Sequence, residues 1–286
     1  MKHGEVSAYL MFCFLSNKAK EMRKIKMYQV DAFTQKLFAG NPAAVCVLDE
    51  WLPDEIMQSI AAENNLAETA FTVNQNNQFE IRWFTPTVEV DLCGHATLAT
   101  AFVLFQLLDY PVNLIPFWSP RSGSLSVSNQ NGLFQLDFPT DKLEKVSTQQ
   151  YQEITDCIGM LPVELFKGKT DYLTVIDSED ELLRLIPNFD AIQQLHARGL
   201  IVTAPGNEVD FVSRFFAPQS GVDEDPVTGS AHTSLIPYWY NRIGKTQMQA
   251  RQISKRGGDL ICEFQGERCF IGGHARLYLT GEIEIN

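Results

Sequence analysis

An internal repeat constrains this chain more than any other feature. Arg82-Trp83-Phe84-Thr85-Pro86 is echoed by Arg214-Phe215-Phe216-Ala217-Pro218. An acidic stretch follows each, Glu89-Val90-Asp91 and then Asp223-Glu224-Asp225. Each then runs into an apolar helical pattern led by glycine, Cys93-Gly94-His95-Ala96-Thr97 and Thr228-Gly229-Ser230-Ala231-His232. The offset is 132 residues at the arginines and 135 at the glycines, so the second copy carries three extra residues. One matching pentapeptide would mean little. Strand, proline, acid, glycine and helix in the same order point to two pseudo-symmetric halves.

The rest of the pattern is α+β. From Met27, apolar alternation predicts strands over Tyr28–Phe33 and Ala43–Leu48, joined through the turn Ala39-Gly40-Asn41-Pro42. Pro53-Asp54 opens a helix that ends at Asn64-Asn65. Further strands are expected over Thr69–Val73 and Phe79–Phe84, and a hairpin around Asn131-Gly132. The pattern Gly94–Leu108 is apolar all round, which suits a helix enclosed by sheet. Gly229–Tyr240 is its counterpart. The polar stretch Pro139–Tyr151 lacks periodicity and marks the boundary, which puts the first half at 27–140 and the second at 141–286. The last strands have the option of returning to the first half. Residues 1–26 read as an extension outside the fold. Their apolar segment Ala8–Leu15 is too short to span a bilayer, and no small-x-small cleavage site follows it before Lys18.

Bulk properties exclude several function classes. A net charge of −12 argues against a general nucleic-acid partner, because phosphate neutralisation needs clustered cations. No segment predicts membrane insertion. The six cysteines form no CxxC pair, and the five histidines show neither HExxH nor an i, i+4 pair. Neither a disulfide framework nor a protein-held metal is expected, and reduced thiols fit a cytoplasmic protein. In so acidic a chain, an anionic ligand must be held locally, by backbone amides or by one or two fixed cations.

The two glycine-led helix starts supply such amides, since the first N–H groups of a helix have no internal partner. If the halves face each other, Gly94 and Gly229 point into one cleft. Ordinary capping by Thr228 or Ser230 explains a single such start equally well. Glu68 lies between Leu66-Ala67 and Ala70-Phe71, where partial desolvation would raise its carboxyl toward neutrality, as a proton shuttle requires. On local sequence alone it also reads as an exposed glutamate at a helix end. His95 reads equally as a hydrogen-bonded structural residue, Asp225 as a turn residue before Pro226, and Cys93 as a small buried one. Ser230 and His232 are two apart and do not face each other on a helix, which argues against a nucleophilic pair.

Asn65-Leu66-Ala67-Glu68-Thr69-Ala70-Phe71, Asp91-Leu92-Cys93-Gly94-His95-Ala96-Thr97 and the stretch from Asp223 to Ala231 resemble three signature segments of the PhzF-like phenazine-biosynthesis isomerase family. The opening Val30-Asp31-Ala32-Phe33 with Gly40-Asn41-Pro42 is similar to that family's start. The resemblance runs from about Met27 to near the C-terminus. It implies the diaminopimelate-epimerase-like fold, in which each half is a sheet rolled around a central helix, with the site between the halves. It also implies a homodimer. Diaminopimelate epimerase uses one cysteine at each helix start; here Cys93 holds the first position but Thr228 the second, which argues against two-thiol racemisation. The resemblance implies instead that Glu68 is the acid/base, with His95 and Asp225 assisting it, and Ser230, Gly94 and Gly229 around a small anionic substrate. The expected activity is a cofactor-independent proton shift between carbons of a carboxylate-bearing compound. An amino-acid racemase or epimerase and a non-catalytic binding protein of the same fold are the alternatives.

Overall fold

A computed structural model of the chain describes residues 22–76 and 78–285. The apolar segment 8–15 and the start of the basic run lie outside the described residues. The first half contains β1 (Arg23–Ala32), β2 (Asn41–Leu48), helix α1 (Asp54–Asn64), β3 (Glu68–Gln75), β4 (Gln78–Phe84) and β5 (Glu89–Val90). Helix α2 (Gly94–Phe102) follows, then β6 (Leu114–Ser119), β7 (Gly123–Gln130) and β8 (Leu133–Pro139). β9 (Glu144–Lys145), helix α3 (Thr148–Ile158), β10 (Glu164–Lys167), β11 (Asp171–Val175), helices α4 (Glu179–Arg184) and α5 (Phe189–Gln193), and β12 (Gly199–Pro205) come next. The chain ends with β13 (Phe211–Ala217), β14 (Val222–Glu224), helix α6 (His232–Ile243), β15 (Gln247–Gln252), β16 (Gly258–Gln265), β17 (Arg268–Gly273) and β18 (Ala275–Ile285).

The pairing pattern repeats. β1–β2 is antiparallel, β2–β3 parallel, β3–β4 antiparallel, β4–β6 parallel, and β6–β7–β8 antiparallel. β10–β11, β11–β12, β12–β13, β13–β15 and β15–β16–β17 follow the same series. The halves join where β8 pairs antiparallel with β17. β9 pairs with β10, and β18 crosses back to pair with β1. Each repeated arginine has a structural task. Arg82 forks onto Glu89 at 2.7 and 2.8 Å, and Arg214 onto Glu224 at 2.7 and 2.9 Å, pinning β5 and β14 to the strand before them.

Many strands are buried on both faces. Along β2, Ala43 and Val45 face the central core with Leu98 and Ala99 of α2, while Cys46 and Leu48 face Met57 and Ile60 of α1. Along β13, Phe211 and Phe215 join the central core with Leu235 and Ile236 of α6. Val212 and Phe216 pack instead among the residues of α3, α4 and α5. One continuous core thus encloses both central helices and crosses the β8–β17 junction. Every residue of α2 from Gly94 to Ala101 is buried, which accounts for a sequence without a charged face, and Thr97 and Thr100 turn their hydroxyls onto the helix's own carbonyls.

Several expected boundaries shift. The long helix expected over Gly94–Leu108 ends at Phe102 and widens into a π-helical turn over Val103–Leu107. The polar boundary region contains β9 and the start of α3, whose capping box joins Ser147 and Gln150. β1 begins at Arg23 rather than near Met27, pairing Arg23 to Lys26 with Ile285 to Glu282. The basic run there is an alternating strand. Ile25 is 3% exposed beside α1, while Lys24 meets Glu282 and Glu284 across the ladder at 3.4 Å each.

A chain begun at Met27 therefore loses a buried isoleucine and four ladder pairs. Its thermal melt is expected several degrees below that of the full chain, for a loss of roughly 2 kcal/mol. Ile25→Ala in the full chain should lower it comparably. An unchanged melt in both would mean that the start of β1 contributes nothing.

Candidate active site

The two central helices meet at their starts. A Cβ on Gly94 would stand 3.3 Å from Gly229 Cα, and one on Gly229 would stand 3.3 Å from Gly94 Cα. This approach of backbone to backbone favours glycine at both positions, since a side chain at either would press on the opposite backbone. α6 itself starts at His232, three residues later than expected. Gly229 to Ala231 form a tight turn before it, in which Gly229 O accepts from His232 N at 3.1 Å. Cys93 and Thr228 occupy equivalent places just ahead of the two glycines.

Glu68 is the first residue of β3, not the end of a helix. Asn65 terminates α1 in a left-handed conformation (φ 48°), and Asn64 bonds forward to Thr69 Oγ1 at 3.1 Å, so the chain enters β3 with Glu68 at the junction. Its side chain is 17% exposed, and Oε2 lies 3.1 Å from Nε2 of His95, whose side chain is 4% exposed. Neither atom makes a directed hydrogen bond to the protein. On its other edge the imidazole turns Nδ1 toward Cys93 Sγ at 3.5 Å and Asn41 Nδ2 at 3.1 Å. Asn41 links the halves: Nδ2 donates to Asp225 Oδ1 at 2.7 Å and to Val227 O at 2.9 Å. Those two bonds use both amide hydrogens, which leaves Cys93 as the partner of His95 Nδ1. Asn41 Oδ1 is buried without a protein partner.

Asp225 follows β14, its backbone N–H bonded to Phe215 O at 3.0 Å. Thr228 Oγ1 donates to its Oδ2 at 2.5 Å. Gln252 fixes the loop by donating to Asp225 O at 2.7 Å and accepting from Thr228 N–H at 2.8 Å. Ser230, next in the turn after Gly229, accepts from Arg198 Nη1 at 3.0 Å. The structure thus draws Glu68, His95 and Asp225 into one connected cluster and places Ser230 beside the abutting glycines. Asn41, Gln252 and Arg198 belong to the same surroundings and are not marked for them by the sequence, whereas Thr228 stands at the expected second helix start. Asn41 carried one legible signal, its place in the Gly40-Asn41-Pro42 turn.

Burial raises the Asp225 carboxyl to about 6; His95 opposes that rise, Glu68 adds to it, and the bonds from Thr228 and Asn41 reduce it. Burial also works against a charged His95, yet Cys93 and Glu68 hold it well above its ordinary value. The Cys93 thiol is itself pushed up, by burial first and then by Glu68. His232 takes no part. It is buried in α6, its Nδ1 bonds Thr228 O at 2.9 Å, and burial lowers it to about 4. Thr97 makes the equivalent bond to Cys93 O at 2.6 Å in the first half.

Glu68, Cys93 and His95 bring donor atoms within 4.8 Å of one another. Cys93 Sγ approaches Nδ1 at 3.5 Å and Glu68 Oε2 approaches Nε2 at 3.1 Å. Cys46, Cys93, Cys157, Cys262 and Cys269 are free and buried. No helix among the described residues is long and apolar enough to cross a membrane.

Residues 30–281 match the family model described as phenazine biosynthesis-like protein. An uncharacterized isomerase of Pseudomonas aeruginosa is 49% identical over 263 residues, covering 92% of this chain and all of its own. Phenazine biosynthesis-like domain-containing protein 2 of Mus musculus is 38% identical, covering 91% of this chain and 99% of its own. A crystal structure of a PhzF-family phenazine biosynthesis protein from Enterococcus faecalis is 45% identical with a TM-score of 0.86, covering 91% of this chain and 99% of that one. A hydroxyproline epimerase from Agrobacterium vitis, 8% identical with a TM-score of 0.60 and covering 92% of this chain and 93% of that one, shares the fold alone.

Proposed function

The chain belongs to the phenazine biosynthesis-like family, whose relatives include proteins named isomerases, and we propose that it is a cofactor-independent isomerase moving a proton between carbons of a small carboxylate-bearing substrate. The contact of Glu68 Oε2 with His95 Nε2 carries this reading. A carboxylate oxygen and an imidazole nitrogen, both buried, stand 3.1 Å apart without a directed hydrogen bond to the protein. Buried polar atoms left in that state are costly unless a ligand satisfies them.

Glu68 takes a proton from one substrate carbon and returns it to another, while the His95 cation and the helix starts stabilise the negative charge that develops between the two events. Asp225, tied to Asn41 and Thr228, accepts hydrogen bonds from an amine or hydroxyl of the substrate and orients it. A shift along one face of a conjugated system needs a single base. Racemisation at one carbon needs bases on two faces, and here Thr228 holds the place where a second thiol would act. Buried, unpaired cysteines suit a reducing, cytoplasmic compartment.

Proton NMR in D₂O tests the reading, with a panel of cyclic diene carboxylates and free amino acids. A double-bond shift, with the moved hydrogen either retained or replaced by deuterium, is the expected result. Inversion with deuteration at Cα of an amino acid would replace the isomerase by an epimerase. Saturable binding with no exchange at any carbon would make the protein a binding module.

A further inference from the structure

The pseudo-symmetry assigns a counterpart to Glu68, and the second half has altered it. Thr69 pairs with Phe84, and Leu200 pairs with Phe216, the repeat-equivalent of Phe84. Glu68, one residue earlier, therefore corresponds to Gly199, which begins β12. A side chain is excluded there, because a Cβ on Gly199 would stand 2.4 Å from Phe215 Cζ. The charged group sits one residue back, at Arg198. Its guanidinium lies over the Phe215 ring, 5.2 Å from the centroid.

The partners correspond as well. His95 follows Gly94, and Ser230 follows Gly229. Glu68 meets His95 in the first half, and Arg198 meets Ser230 in the second. In each half, a charged side chain from a strand start touches the residue after the helix-start glycine. The sign of the charge is reversed between them.

Arg198 is held firmly. Asp171, 4% exposed at the start of β11, receives Nε at 2.9 Å and Nη2 at 2.5 Å. Thr170 adds a bond to the same carboxylate at 3.0 Å. Burial works against the charge of Arg198, but Asp171 foremost, with Asp225 and Cys93 beyond it, keeps the guanidinium protonated. A guanidinium only donates. Its Nη1–H therefore occupies a lone pair of Ser230 Oγ and cannot take the hydroxyl proton. Among the described residues, no protein oxygen accepts that proton.

We propose that Arg198, clamped by Asp171, is a positioning residue that makes Ser230 a hydroxyl donor to the substrate's carboxylate. This rests on the isomerase reading for its chemistry. When Glu68 removes a proton from a carbon conjugated with the carboxylate, the C–H electron pair spreads onto the carboxylate oxygens. The proton is held as an O–H on the Glu68 carboxyl, no carbon–protein bond forms, and the O–H breaks again as the proton passes to the second carbon. The Ser230 hydroxyl strengthens its hydrogen bond while that charge is present, and Arg198 sustains its polarity.

Benzoate is a suitable probe. It is planar, its carboxylate is conjugated with the ring, and it has no acidic C–H to react. Titration calorimetry should show benzoate binding to the wild type and weakening by about tenfold to hundredfold in Ser230→Ala. The uncharged pair Arg198→Gln with Asp171→Asn, which leaves no buried carboxylate unpaired, should weaken it by a similar factor. All three substitutions together should be no weaker than Ser230→Ala alone, because Arg198 acts through Ser230. If the uncharged pair loses its cooperative melt, Arg198→Lys takes its place with the same loss expected. Wild-type affinity in the Arg198 variants, losses that multiply, or no binding of millimolar benzoate to the wild type would each overturn the proposal. Coupled benzoate losses in a protein that moves no proton in D₂O would retain this anion site and remove the isomerase reading alone.

Discussion

Glu68→Gln is expected to lower turnover by about 10²–10⁴-fold, the range for loss of a general acid/base group. Glutamine preserves the length and planarity of the side chain at the start of β3, so the α1–β3 junction and the neighbouring core should survive. Benzoate binding should change little, since the proposed anion contacts come from Ser230 and the helix starts. The charge beside His95 disappears, however, and Glu68 is one of the two groups that raise the imidazole against its burial. The His95 ring should therefore titrate at lower pH in the variant, which NMR of the ring protons reads without any substrate. A variant with full turnover would exclude Glu68 as the base and pass the role to Cys93. That thiol is poorly suited to it, because burial and the nearby carboxylate both hold it protonated.

Much of the fold was legible because both copies of the repeat solve the same two problems. Each arginine must fork onto an acid to pin a short strand, and each glycine must let one helix start touch the other. Such requirements leave the same residues in the same order. What escaped the sequence depends on long-range pairing. The basic run at the N-terminus becomes a strand only because β18 returns from the far end of the chain with glutamates in register. β15 alternates buried Met248, Ala250 and Gln252 with more exposed neighbours, but its polar composition concealed the period. The site divides in the same way. Glu68, His95, Asp225 and Ser230 lie in local motifs. Arg198 does not: its clamp is 27 residues away at Asp171, and only the parallel register of β11 with β12 sets the two side by side.

Asp225→Asn is expected to make the protein more stable near neutral pH even as it impairs the site. The Asp225 carboxyl is raised to about 6, first by burial, whereas the unfolded chain titrates near 3.8. A carboxyl raised in the folded state contributes stability that is fully present below the unfolded value and is lost as pH rises through the folded one. Between pH 4 and pH 7 the wild type therefore loses on the order of 3 kcal/mol at this residue, about 1.4 kcal/mol for each pH unit that separates the two titrations. Asparagine has no proton to lose, and its amide still meets Asn41 and Thr228, whose hydroxyl can turn to accept. Urea unfolding of both proteins at pH 4, 5, 6 and 7 isolates the difference, since every other titrating group is shared. The stability gap should move toward the variant with each step up, most steeply around pH 5. A gap that stays constant would mean that Asp225 ionises in the folded protein as it does in water, which removes the case for a desolvated site. A gap that widens as expected would mean that the fold sacrifices stability to keep an ionised carboxylate beside Glu68 and His95, as sites shaped for function do.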